Sequence, residues 1–173
     1  MSSKYISAIY EWLSLPLDQL ETYLQVSSHR SSGPGGQKAN KTSSAVSLLF
    51  APLDIRVECQ IYRKKEENKR SAMRILREKI ALCCRELPDQ ETMEILKPWF
   101  LNGLHVQKHH EKLALIFSVV VSYFHHFYGD HKETAAVLGV SPSRLCRFIF
   151  EHKSLLAEVN RIRKENNKSS LMK

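Results

Sequence analysis

The residues best suited to chemistry are Gly35, Gly36 and Gln37, inside the stretch RSSGPGGQKANKTSS that runs from Arg30 to Ser44. Glycine carries no Cβ, so Gly33, Gly35 and Gly36 let a backbone take positive φ and approach a ligand closely, while Pro34 stiffens the entry. The order GPGGQKANKT fits neither the GxxxxGKS/T phosphate loop nor a dinucleotide fingerprint, which would need a preceding strand and an acid at a set distance. No Asp, Glu or His stands between Arg30 and Val46, so the stretch carries no general base of its own. What it offers is backbone N–H dipoles, one amide side chain, hydroxyls and ammonium groups. On that local chemistry a plain surface turn and a loop held out to a ligand both stay open.

The flanking pattern says what must position these residues. Residues 5–26, YISAIYEWLSLPLDQLETYLQV, predict a short amphipathic helix, a break at Pro16, and a second short helix or strand. AVSLLF at 45–50, a turn at APLD, and IRVECQIY with Ile55, Val57, Cys59 and Ile61 alternating predict a β-hairpin. From Arg63, RKKEENKRSAMRILREKIALCCREL places Met73, Leu76, Ile80 and Leu87 at helical spacing up to Pro88. One face of that helix is expected on the sheet and the other as a cationic stripe.

Residues 89–173 read as helical throughout. The apolar run LALIFSVVVSYF, Leu113 to Phe124, is shorter than the roughly 20 residues a membrane span needs and predicts a buried helix. KETAAVLGVSPSRLCRFIF has helix-turn-helix spacing: Ala135 and Ala136 small, Gly139 at the bend, Ser141 as N-cap, Pro142 at the first helical position, and Leu145, Phe148 and Ile149 facing inward. The fold class is therefore α+β, a small sheet packed on a helix within residues 1–87, and an all-helical region over 88–173 that ends in a short basic tail.

Charge narrows the partner. The 173 residues carry a net +8, and residues 27–87 alone hold 13 Lys+Arg against 6 Asp+Glu. A polyanion is the expected partner of that segment. Cys59, Cys83, Cys84 and Cys146 have neither zinc nor disulfide-scaffold spacing, which favours a reducing, cytoplasmic setting, as does the lack of a signal-like start. His105 and His109 form an i,i+4 pair, but no carboxylate or cysteine stands at matching spacing, so no metal and no cofactor is expected.

Taken together, RSSGPGGQKANKTSSAV, a hairpin ending VECQ, then Arg63, Asn68, Lys69, Ala72 and Met73 opening a basic helix, resemble the catalytic domain of class I peptide chain release factors over about residues 24–85. The resemblance implies hydrolysis of the ester that joins a polypeptide to P-site tRNA, in the ribosomal peptidyl transferase centre. It implies that Gly35 and Gly36 shape the tip, and that Gln37 offers its backbone N–H to the developing oxyanion or leaving oxygen while its side chain places water. Arg30, Ser31, Ser32, Lys38, Asn40, Lys41 and Thr42 would then meet RNA around the tip, and Arg63, Lys64, Lys69, Arg70 and Arg74 would add salt-dependent RNA affinity. A tip without a base must work by positioning and preorganised dipoles within a host site.

Codon-reading factors embed this domain in a larger structure with a tripeptide loop, and no comparable tripeptide follows it here. The expectation is the short, codon-independent type that rescues stalled ribosomes or split large subunits, monomeric off the ribosome, with an accessory protein or RNA as a further partner of 88–173. Two rival readings are a non-catalytic ribosome or RNA binder that keeps the fold, and a DNA-binding regulator acting through residues 131–150.

Overall fold

A computed structural model describes residues 8–29 and 44–172 of the chain. Two short helices, α1 (Ile9–Ser14) and α2 (Leu17–Glu21), lead into strand β1 (Leu24–His29). Strands β2 (Ala45–Phe50) and β3 (Ile55–Cys59) follow, joined by a single 3-10 turn at Ala51–Leu53. That turn closes on Asp54 at φ 51°, a left-handed conformation that a short polar side chain tolerates. The three strands form an antiparallel sheet in the order β1-β2-β3, with His29 opposite Ala45 and Val46 opposite Cys59.

The sheet is two-faced because β-strand side chains alternate. Val46, Leu48, Phe50, Val57 and Cys59 are buried, whereas Gln25, Ser27, Arg56 and Glu58 leave the opposite face polar. The buried face meets α3 (Lys65–Leu82), whose Ala72, Met73, Leu76 and Ile80 are all buried. Glu66 and Glu67 in the first turn and Lys79 in the last both favour the helix dipole.

Two boundaries differ from the sequence expectation. The alternation does not continue to Ile61, which is 73% exposed. Strand β3 stops at Cys59 because the peptide of Tyr62 is held by the side chain of Asn68 instead of a neighbouring strand. Helix α3 stops at Leu82, and Leu87 is exposed. Beyond it, Arg85 donates through Nη1 to the carbonyls of Leu82 and Cys84, and Tyr10 donates its hydroxyl to the carbonyl of Glu86. Carbonyls satisfied from outside the helix leave no reason for it to run on to Pro88.

Helices α4 (Gln90–Leu101), α5 (Leu113–His126), α6 (His131–Val137), α7 (Pro142–Glu151) and α8 (Lys153–Glu165) complete the described chain. As the apolar run suggests, α5 is buried along most of its length, and Ser118 and Ser122 return their hydroxyls to the carbonyls of Leu115 and Ser118. The helix-turn-helix-like unit forms as the sequence indicates: Gly139 takes φ +67°, Ser141 accepts from the N–H of Arg144, and Leu145, Phe148 and Ile149 are buried. None of the described helices is long and apolar enough to cross a membrane.

The cationic-stripe expectation needs the tertiary structure to complete it. α3 meets the sheet on one side and α5, α1 and α8 on others, within one continuous hydrophobic cluster. Polar contacts stitch the same seam. Tyr10 and Ser122 hydroxyls are 2.7 Å apart, Cys84 Sγ lies 3.4 Å from Ser122 Oγ, Ser154 donates to Glu78, and Arg85 pairs with Glu158.

Candidate functional site

Gly35, Gly36 and Gln37 lie outside the described residues, as do Arg30, Ser31, Ser32, Lys38, Asn40, Lys41 and Thr42. What the structure places is both ends of the segment that holds them. Because β1 and β2 are antiparallel and His29 faces Ala45, the chain leaves and rejoins the sheet at the same end.

Ser44, the first described residue after the segment, sits one position beyond that ladder. Its carbonyl accepts from Asn68 Nδ2 at 2.8 Å. The same nitrogen donates to the carbonyl of Tyr62 at 2.8 Å, while Asn68 Oδ1 accepts from the Tyr62 N–H at 2.8 Å and from Cys59 Sγ at 3.4 Å. Asn68 is fully buried, and both its amide hydrogens and both oxygen lone pairs are used. The amide can face only one way, since reversing it would set its oxygen against two carbonyls. The polar clasp joins the exit of β2's leader, the end of β3 and the first turns of α3.

The five described members of the expected RNA-facing set separate by environment. Arg63, Lys64, Arg70 and Arg74 are exposed, and the Lys64–Glu67 pair at 3.7 Å is too open to neutralise much charge. Lys69 is half-buried and paired with Glu21 at 2.9 Å, so it also fastens α2 to α3. Further along, Arg77 donates through Nη2 to the carbonyls of Leu13 and Leu15, both at 2.7 Å, and burial lowers its pKa, with Glu111 opposing. Arg77 is therefore a tie to the end of α1 rather than a free cation.

A cleft of about 710 Å³ opens beside α3, between its Arg70, Arg74 and Glu66 and the α4–α5 connection at Lys108, His109 and Glu111. Its walls carry acids as well as bases, so it is not a uniformly cationic groove. His105 and His109 lie in that connection and not on a helix face, and no three His, Cys, Asp or Glu side chains gather for a metal among the described residues.

The chain end expected as a basic tail folds back in its described part. Arg163 is buried, donating to the carbonyls of Gly129 and Ser169, and Asn160 exchanges two hydrogen bonds with the Leu171 peptide. Lys168 pairs with Asp130 at 3.2 Å. Composition alone gives no hint of this, because Gly129 and Asp130, which hold Arg163 and Lys168, lie in the turn before α6. Asn68 was open to detection: it shares an i,i+4 ridge with Ala72, Leu76 and Ile80, and a polar side chain on such a ridge demands buried partners.

Comparison with known proteins now bears on this arrangement. Residues 17–97 match the RF-1 domain family. Peptide chain release factor 2 of Streptomyces avermitilis is 47% identical over 77 residues, covering 44% of this chain and 21% of the relative. Peptide chain release factor 2 of Mycobacterium sp. (strain JLS) is 42% identical over 81 residues, 47% of this chain and 22% of the relative. Peptide chain release factor 1 of Nocardioides sp. is 42% identical over 74 residues, 43% and 21% respectively. The chain thus spans about a fifth of the length of these curated relatives.

Proposed function

We propose that this chain, whose residues 17–97 match the RF-1 domain family, is a member of the class I peptide chain release factor family and hydrolyses the peptidyl-tRNA ester in the ribosomal peptidyl transferase centre. Residues 1–87 are the hydrolytic unit in this reading, and residues 88–173 are a helical region that engages the ribosome or an accessory partner. The observation that carries the reading is the His29–Ala45 pairing. It brings both ends of the Gly35-Gly36-Gln37 segment to one end of the sheet, beside Tyr62 and the exposed Arg63 and Lys64 that follow it.

The chemistry follows from what the segment lacks. With no acid or histidine from Arg30 to Val46, water is not activated by a side-chain base of the segment. The Gln37 N–H stabilises negative charge on the carbonyl oxygen or on the departing 3′ oxygen, and its side-chain amide orients the water. Water oxygen bonds to the ester carbon, the carbon–oxygen bond to tRNA breaks, and the proton ends on the tRNA 3′ oxygen. Arg30, Ser31, Ser32, Lys38, Asn40, Lys41 and Thr42 hold RNA around the tip, with the exposed Arg63, Lys64, Arg70 and Arg74 adding phosphate contacts whose strength falls with salt, while Lys69 is held by Glu21.

The finer part of the proposal is codon independence: a cytoplasmic, monomeric factor that frees stalled ribosomes or split large subunits. The test is release of labelled peptide from purified ribosomes with an empty A site, with and without a stop codon, and from large subunits holding peptidyl-tRNA. Release independent of the codon and lost in Gly36→Ala and Gln37→Pro, yet partly kept in Gln37→Ala, is expected, because only the first two restrict φ or remove the N–H. Equal release by the unaltered chain and Gln37→Pro would refute the oxyanion role. No release on any substrate would favour a ribosome-binding protein that keeps the fold.

A further inference from the structure

We infer that Asn68 is a positioning residue for the proposed hydrolysis, a buried clasp that sets where the Gln37-bearing segment rejoins the sheet; the inference rests on the function proposed above. Ser44 is the residue on which that segment ends, seven residues after Gln37, and it lies outside the β1–β2 ladder. Among the described residues no strand pairing fixes it. Its carbonyl is instead fixed by Asn68 Nδ2, and the same side chain clamps both the N–H and the carbonyl of Tyr62.

The geometry requires this residue type. Two carbonyls, Ser44 and Tyr62, need two donors, while one N–H and the Cys59 thiol need one oxygen acceptor. A primary amide is the one neutral side-chain group that supplies both sets. Aspartate has the shape but no donors, and alanine takes this partner away from two part-buried carbonyls and an N–H. Asn68 stands on α3, which is packed against the sheet and against α5, so the clasp refers the end of the segment to the most heavily anchored helix among the described residues. Preorganised catalysis is sensitive to displacements of about 1 Å, which can cost a factor of about 100. A side chain that touches no substrate can then act on turnover through Ser44.

The inference is tested on the full chain by steady-state peptide release, comparing Asn68→Ala and Asn68→Asp with Thr134→Val. Thr134 is equally buried and loses a hydrogen bond to the Asp130 carbonyl, but it sits in α6, away from the sheet. Melting curves establish the folded fraction of each. The expected result is a fall in kcat of about tenfold to a hundredfold in both Asn68 variants with KM for ribosomes little changed, and neither parameter moved in Thr134→Val once corrected for folded fraction. If Asn68→Ala does not fold, the near-isosteric Asn68→Asp decides alone. An unchanged kcat in a folded Asn68 variant overturns the inference while leaving the hydrolytic reading standing. Absence of release from the unaltered chain overturns the hydrolytic reading, and the inference with it.

Discussion

Glu158 offers a sharp test of how the helical region is fastened to the sheet unit. Its carboxylate receives Arg85 Nη2 from the chain just past α3 and Arg161 Nε and Nη2, at 3.0 and 2.7 Å, from its own helix. The Arg85 and Glu158 side chains are 23% and 15% exposed, so screening is limited. Replacing Glu158 by Gln keeps the shape and removes the charge. A charge-assisted hydrogen bond is worth about 1.5–3 kcal/mol, and a wholly stranded buried partner would cost about 3–5. Arg85 would not be stranded, since it still binds the carbonyls of Leu82 and Cys84. A loss of about 2 kcal/mol in urea unfolding is expected, and a double-mutant cycle with Arg85→Met should return a coupling of about 1–2 kcal/mol at neutral pH.

The same residue fixes the sign of a pH effect. Burial pushes the Glu158 carboxyl up, but the bonds from Arg161 and the charge of Arg85 outweigh it and hold it below its usual value. A folded pKa below the unfolded one means stability present above about pH 4.3 and lost as pH falls through the folded value. The difference between the unaltered chain and Glu158→Gln should therefore shrink in acid. A coupling below about 0.3 kcal/mol at pH 7 would refute the reasoning, because that is the scatter expected of independent sites.

Other outcomes follow from single positions. Asp130 caps α6 through the N–H groups of Lys132 and Glu133 and pairs with Lys168, and the Glu133 N–H in particular holds its carboxyl down at about 2. Asp130→Ala should cost about 1 kcal/mol at neutral pH by thermal melting, a difference that fades between about pH 4 and the folded value. Gly129 and Gly139 both take positive φ, but a Cβ at Gly129 would lie 3.0 Å from the Arg163 Cα, whereas at Gly139 it meets open space. Gly129→Ala should thus lose clearly more stability than Gly139→Ala, which should cost about 1 kcal/mol; equal losses would contradict the packing. Leu76→Ala, at a fully buried position on α3, should cost about 2–5 kcal/mol in urea unfolding.

What the sequence determined by itself was whatever depends on near neighbours. The strand-forming run AVSLLF and the alternation of IRVECQIY marked β2 and β3, the spacing of Met73, Leu76 and Ile80 marked α3, and Ser141 with Pro142 marked the start of α7, because caps and periodicity are local physics. The order Gly35-Gly36-Gln37 ahead of a hairpin and a basic helix was equally legible, since it is linear. Tertiary structure decided the rest. Ile61 and Leu87 continue their apolar patterns yet are exposed, because Asn68 and Arg85 capture the backbone there and end β3 and α3 early. Lys69 and Arg77 belong to the cationic stripe in sequence, but Glu21 and the carbonyls of Leu13 and Leu15, 48 to 64 residues away, convert them into ties. The Asn68 clasp draws on Ser44, 24 residues upstream, and a side chain's partners at that distance are set by how the helix lies on the sheet.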